Sequence, residues 1–272
     1  MSGTLHYPDI YSGDAGINFS SSYIVVAKAT QGTTYKNPEY AAFKSQAAAN
    51  NVFFVAYHFL EKGNGKGQAQ ACAAMIGKGT PLMVDAEPDP QANNTGPSVQ
   101  DVADFVNECW NLGVPCWLVY FPKWYWQELG QPSLKPIVGN PARRLVTSDY
   151  TTYSDNGPGW AGYGGMEVAA WQYSATVAYG GKADVDFNAF KGSGSANTAT
   201  TLAEFKAFVT TGKWPGSSPV ANGPAPTPHF SIAKLPPGQW EGMITLSGKG
   251  SDGQVWHTTS DDGRTWSTPK KS

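Results

Sequence analysis

Two acids stand at i and i+2 where an apolar run ends, in Thr80-Pro81-Leu82-Met83-Val84-Asp85-Ala86-Glu87-Pro88-Asp89. On a strand, side chains at that spacing share one face, with Cα atoms about 6.7 Å apart. Burial and mutual repulsion raise the pKa of one of two such carboxylates, making it a proton donor near neutral pH. A donor acid beside a second carboxylate suits glycosidic bond cleavage. A plain cluster of loop acids following a strand is the competing explanation.

Other strand-like runs end in acids too. Asp9 closes Tyr7-Pro8-Asp9-Ile10-Tyr11, Asp149 ends a sixth run, and Asp186 sits in Ala183-Asp184-Val185-Asp186-Phe187-Asn188. Each alone reads as a turn residue. Together they would ring one mouth of a barrel with negative charge, which is costly unless function requires it. Aromatic residues fall at the same ends: Tyr57-His58-Phe59, Tyr120-Phe121 and Trp171-Gln172-Tyr173, with Trp124, Tyr125 and Trp126 in a following loop. Their flat faces suit the apolar faces of sugars, and core packing is the alternative for each. His58 reads as a hydrogen-bonded structural histidine. The four His have no metal-ligand spacing such as HExxH, so no metal and no cofactor are expected.

Eight short runs must position these groups: 5–10, 23–29, 52–59, 81–87, 115–121, 144–150, 168–173 and 183–187. Several, such as Tyr23-Ile24-Val25-Val26-Ala27, are apolar without alternation. Such runs suit strands of a parallel sheet buried on both faces. Helical patterns separate the early runs. They cover 38–50, then 66–78 stopped by Gly79, then a stretch opened by Ser98 with Asp101 as its capping partner. In that third helix Val102, Phe105, Val106, Cys109 and Trp110 share a face, and Gly113 ends it. A later helix spans 201–211, with Thr201 and Glu204 as its capping box. Between the fifth and eighth runs helical periodicity disappears. The expected fold class is α/β: a modified TIM-like barrel of about eight strands, parallel, with helices mainly in its first half and functional groups at the C-terminal strand ends.

The whole chain has 272 residues, a formal charge of −2 and 15% charged residues, against roughly 25% in an average domain. A nucleic-acid binder would need a strongly basic face, so nucleic acid is not an expected partner. No run of about eighteen apolar residues exists, so no membrane span is expected. The 40% hydrophobic content excludes disorder for most of the length. Cys72, Cys109 and Cys116 lack the spacing of a disulfide framework or a zinc site, though Cys109 and Cys116 could pair. Composition changes near Trp214, where PGSSPVANGPAPTP opens a linker-like stretch. Three parts are expected: a barrel over 1–214, a Pro/Gly/Ser-rich linker over 215–238, and a small β-hairpin-rich piece over 239–272.

Five segments together resemble glycoside hydrolase family 25, the Chalaropsis-type lysozymes. They are PDIYSG around Asp9, AKATQGTTYKNPEY (27–40), AYHF (56–59), VDAE (84–87), and WQYS (171–174) followed by VDFN (185–188). The match covers roughly residues 5–190. It implies a barrel of five β/α units with three further strands. It also implies hydrolysis of the β-1,4 bond between N-acetylmuramic acid and N-acetylglucosamine, with bacterial peptidoglycan as partner. By resemblance Glu87 is the general acid, and Asp85 orients the substrate's 2-acetamido group, whose oxygen serves as internal nucleophile. Direct attack by a carboxylate stays open. Asp9 and Asp186 match the two other acids of the family's site, and Tyr57, Phe59, Tyr120 and Trp171 shape its sugar subsites.

Two departures stand out. Ile10-Tyr11-Ser12-Gly13-Asp14 replaces a tryptophan-bearing segment after the first Asp, and Pro88-Asp89-Pro90 stiffens the loop after the acid. Met1 to His6 lack a basic region followed by an apolar stretch. That favours phage-lysin-type or virion-borne delivery to the cell wall over Sec secretion. In the C-terminal piece, β-like runs at 243–246 and 254–258 precede Ser260-Asp261-Asp262-Gly263-Arg264-Thr265-Trp266, which is similar to an Asp-box hairpin. Wall binding is one reading of it, and a docked hairpin or oligomerisation element the others. Two rivals remain for the whole chain. A chitinase-like barrel would need D-x-x-D-x-D-x-E, yet Met83 and Thr80 stand where two of its acids belong. A non-catalytic glycan-binding or phage structural barrel has no evident need for both Asp85 and Glu87.

Overall fold

The computed structural model describes residues 3–89, 95–216, 244–249, 255–260 and 270–271. The chain divides into two compact units, Met1–Gly216 and Ser217–Ser272. In the first unit the strands are β1 (Leu5–Ile10), β2 (Ile24–Gln31), β3 (Tyr35–Lys36), β4 (Phe53–Phe59), β5 (Leu82–Asp85), β6 (Cys116–Tyr120), β7 (Arg144–Ser148), β8 (Val168–Tyr179) and β9 (Lys182–Phe190). The helices are α1 (Tyr40–Ala49), α2 (Gly65–Ile76), α3 (Val99–Asn111), α4 (Lys123–Glu128), α5 (Lys135–Val138) and α6 (Thr198–Thr211).

Sheet order runs β1-β9-β8-β7-β6-β5-β4-β2, and β1 pairs with β2 to close an eight-stranded barrel. The α/β barrel expected from the sequence is therefore present. Two features differ from the expectation. A ninth strand, β3, folds back antiparallel on the end of β2 and stays outside the barrel. The barrel is also not wholly parallel, because β9 runs antiparallel to both β8 and β1. The reason is the connection. Tyr179 pairs with Lys182, which leaves Gly180-Gly181 as a two-residue loop. Both glycines have positive φ, as a tight hairpin requires, and a parallel crossover would need a dozen residues or more.

Packing explains the helices. Ser98 Oγ accepts from Asp101 N at 3.1 Å, and Asp101 returns the contact to Ser98 N at 2.8 Å, so the expected capping box forms. Its buried face is Val102, Ala103, Phe105, Val106 and Cys109. The box expected at Thr201 and Glu204 does not form. Helix α6 begins one turn earlier, capped by Asn197, while Glu204 accepts from Ser193 N at 3.0 Å. Phe205 of α6 packs against Tyr7, Phe53 and Phe190, around the start of β4 and the end of β9. One end of the barrel is thereby filled with aromatic rings and the other is left for chemistry. Cys72, Cys109 and Cys116 are buried free thiols, so the pairing open to Cys109 and Cys116 is not made. No helix among the described residues is long and apolar enough to cross a membrane.

In the second unit β10 (Ile244–Lys249) pairs antiparallel with β11 (Val255–Ser260), which pairs with β12 (Lys270–Lys271). The two expected β-like runs fall in or beside β10 and β11. Residues 261–266 of the Asp-box-like run and 217–238 of the expected linker lie outside the described residues.

Gly159 lies flat on the Trp171 indole, where a Cβ would fall inside van der Waals contact with the ring. Gly159→Ala is therefore expected to destabilise the barrel by about 1–3 kcal/mol, read as a lower urea midpoint at unchanged m-value.

Candidate active site

Alternation along the strands turns every second side chain into the barrel. Near the C-terminal ends of β4 and β5 this places Tyr57, Phe59, Met83 and Asp85 on the inside, and Glu87 follows just beyond β5. Register does the rest. Asp85 is paired with Phe59 of β4 on one side and with Tyr120 of β6 on the other. Asp9 of β1 is paired with Asp186 of β9. Gln172 of β8 is paired with Asn188 of β9.

These residues surround one cavity of about 390 Å³. Asp9, Asp85, Glu87, Asp89 and Asp186 all line it, with Lys28 as the cation among its lining residues. Its aromatic walls are Tyr11, Tyr57, Phe59, Tyr120 and Tyr150. A larger cavity, about 550 Å³, opens beside Arg144 and Val168 at the other ends of the strands and holds no acid cluster.

The carboxylates are held in unequal environments. Asp9 Oδ2 accepts from Asn188 Nδ2 at 2.6 Å and from Gln172 Nε2 at 3.1 Å. Burial nonetheless outweighs these donors and pushes Asp9 up to about 6. Asp186, paired across the ladder with Asp9, goes up to about 8, first by burial and then by repulsion from Asp9 and Glu87. Glu87 rises to about 7, again chiefly by burial, with Asp9 adding repulsion and Lys28 opposing it. Asp85 is pushed well above the usual carboxylate range by burial and by Glu87. Its Oδ1 is buried and has no hydrogen-bond partner among the described residues. Such an acceptor costs free energy until a ligand donor meets it.

A polar framework fixes the donors. Tyr120 and Tyr150 hydroxyls both donate to Gln172 Oε1, at 2.8 and 3.0 Å, so the Gln172 amide must turn its N–H toward Asp9. Lys28 Nζ donates to Gln31 Oε1 at 2.7 Å and lies 4.6 Å over the Phe59 ring. Gln31 Nε2 in turn donates to Asp89 Oδ2 at 3.1 Å.

Asp9, Asp85, Glu87, Asp186, Tyr57, Phe59 and Tyr120 are thus brought together as the sequence reading expects. Trp171 is not. It is 0% exposed, lies under Gly157 and Gly159, and donates from Nε1 to Asp149 O at 2.8 Å. It neighbours Gln172 on β8, and only Gln172 faces the cavity. Asp149 also stays out of the cavity, serving Trp171 and Thr151 through its carbonyl. His58 is structural: buried, stacked on Phe105, and hydrogen-bonded to Thr30 Oγ1 and Gln68 Oε1. Burial takes it down to about 3, so it is neutral. Sequence reasoning missed Gln172, Asn188, Lys28, Tyr11 and Tyr150 as site residues. The quoted segments WQYS, VDFN, AKAT and PDIYSG contain the first four without singling them out as site residues.

A model of glycosyl hydrolases family 25 matches residues 9–182, more than half of the chain. The chain belongs to glycosyl hydrolases family 25. It is therefore a glycoside hydrolase, and its four converging carboxylates lie within or just beyond the matched span. No curated protein sequence matches it. Among solved structures, a muramidase from Trichobolus zukalii is 23% identical with a TM-score of 0.60, over 76% of this chain and 99% of that one. A bacterial lysozyme from Streptomyces coelicolor is 24% identical with a TM-score of 0.59, over 73% and 95%. The CTP1L endolysin is 14% identical with a TM-score of 0.51, over 73% and 69%. At these identities the likeness is one of fold.

The folded site binds more protons than the unfolded chain between the ordinary carboxylate range and pH 8, so stability falls as pH rises through that window. Asp186→Asn is expected to raise Tm at pH 9, by about 2–4 °C for each kcal/mol of repulsion and burial removed. The gain should vanish at pH 4, where Asp186 already holds its proton in the fold. Calorimetric scans at the two pH values check it.

Proposed function

We propose that this family 25 hydrolase is a muramidase. Its substrate is the β-1,4 bond between N-acetylmuramic acid and N-acetylglucosamine in bacterial peptidoglycan, and its place of action is the bacterial cell wall. The observation that carries this reading is the pairing of Glu87, poised at about 7, with Asp85, whose buried Oδ1 has no partner among the described residues, on one wall of a sugar-sized cavity.

In this reading the protonated Glu87 donates its proton to the glycosidic oxygen as the bond to the anomeric carbon breaks. The carbonyl oxygen of the substrate's 2-acetamido group attacks the anomeric carbon from the opposite face, forming a cyclic oxazolinium. The acetamido N–H donates to the vacant Oδ1 of Asp85; that hydrogen bond favours the ionised carboxylate over the protonated one, and the carboxylate balances the charge that develops on the group. Glu87, now ionised, takes a proton from water as the water's oxygen opens the ring. Configuration is retained and Glu87 is reset. Asp186, with its raised pKa, holds a proton at neutral pH and can donate to a sugar oxygen, while Asp9 is held by Asn188 and Gln172 as an acceptor. Tyr57, Phe59 and Tyr120 supply ring faces to the sugar. Trp171 acts from behind, by holding the β7–β8 loop. Residues 1–214 carry this chemistry. Wall binding is the role assigned to residues 239–272.

Clearing of a peptidoglycan suspension tests the reading. Glu87→Gln should lose at least about 100-fold in rate, the scale of general acid catalysis. Wild-type clearing should fall as pH rises through about 7, because the reactive form is the protonated one. Equal clearing by wild type and Glu87→Gln would sink the assignment of the acid. Mass analysis of the released ends should find reducing N-acetylmuramic acid; reducing N-acetylglucosamine would replace muramidase by glucosaminidase.

A further inference from the structure

Beyond Gln172, β8 leaves its partner β7 and continues to Tyr179 paired with β9 alone. With the loop that follows β7 it lines a third cavity, an open trough of about 490 Å³. One residue, Tyr150, lines both this trough and the acidic cleft. Its hydroxyl is pinned to Gln172 at 3.0 Å, yet the residue is 59% exposed. The ring is thereby held as a fixed divider with a free face.

The chemistry of the trough is unlike that of the cleft. Tyr153 and Tyr173 bring two rings 5.2 Å apart, and Thr151, Thr152, Ser174 and Thr176 bring hydroxyls. No charged side chain lines it among the described residues. The rings are braced: the Tyr173 hydroxyl meets His6 Nδ1 at 3.2 Å, and the Tyr153 ring lies 5.5 Å from that of Trp171. Rigid ring faces beside hydroxyls, without charge, suit a neutral polyhydroxylated ligand and give nothing to the carboxylates of a stem peptide. The volume lies within the range of small-ligand sites.

We infer that this trough is a distal sugar site, in which the glycan strand whose bond lies over Asp85 and Glu87 continues past Tyr150 as an uncharged N-acetylated sugar. The inference rests on the muramidase reading and adds a length requirement to it. Binding energy gathered in the trough, remote from the reacting bond, favours long strands over short ones.

Soluble oligomers of the N-acetylglucosamine–N-acetylmuramic acid repeat test this. Wild type should hydrolyse an octasaccharide with kcat/KM about tenfold above that of a tetrasaccharide, the effect of one modest extra site. Thr176→Trp, at an exposed position on one wall, should fill the trough, abolish that ratio and leave tetrasaccharide hydrolysis unchanged. Thr152→Trp on the other wall repeats the test should the first variant fold poorly. A length ratio near one in wild type, or a ratio that survives both tryptophans, overturns the inference while the muramidase reading stands. If no oligomer is cleaved, the muramidase reading fails instead, and calorimetric titration decides the trough separately. In the Glu87→Gln background the octasaccharide should bind about tenfold more weakly once Thr176→Trp is added. Equal affinity there overturns it.

Discussion

The structure depends on keeping several largely desolvated carboxylates close together in one mouth of the barrel. Asp9 and Asp186 are partners across an antiparallel ladder, where like charges directly opposite are destabilising. Asp85 is buried with one oxygen unmet, and Glu87 follows it at once in the chain. Burial is the leading cause of the raised pKa for each of the four. An ordinary loop would relax such a cluster by moving it into water. Here Asp9 and Asp85 sit near the ends of β1 and β5, Asp186 lies midway along β9 and Glu87 follows β5, in a barrel closed by ladders on both sides, so moving the strand-borne acids into water would break pairing.

The unfavourable mouth is offset elsewhere. Three buried apolar clusters flank and fill the barrel, one of them joining Leu5, Val26, Val55 and Leu118 to Phe205 and Phe208 of α6. Burial of such side chains contributes about 1.5–3 kcal/mol each. The polar framework spends part of that stability on direction. Tyr120, Tyr150 and Gln172 form a fixed relay that leaves one amide N–H for Asp9, and Lys28 is tethered through Gln31 toward Asp89. Fixed dipoles of this kind need no reorganisation when charge develops on a substrate.

What was legible in the sequence follows from how local each signal is. The apolar run ending in Asp85 and Glu87 announced itself, because strand, burial and acids are contiguous. The box at Ser98 and Asp101 was legible for the same reason. The failures needed long-range knowledge. Trp171 and Gln172 are adjacent, so the strand's parity gives the cavity only one of them, and parity is set by pairing with Ser148 and Asn188. The aromatic residue type suggests a sugar platform at Trp171, whereas it is the Gln172 amide that lines the cavity. The antiparallel course of β9 turned on two glycines at 180 and 181, which the strand count overlooked. The cap of α6 was misplaced because Asn197 captures the first turn and leaves Glu204 to hold Ser193.

Chemistry and grip are separated in space by one side chain. On the inner side of Tyr150 lie the acids, where a charge or proton out of place alters the reaction. On its outer side lie hydroxyls and rings, and among the described residues no charged side chain lines that trough. The antiparallel hairpin makes this possible: β8 and β9 stay paired beyond the last contact of β8 with β7, and Tyr173 to Val177 of β8 bring an uncharged lining to the trough beside the acids. The same two-glycine turn that breaks the parallel pattern therefore lets one sheet both close the catalytic barrel and extend its groove.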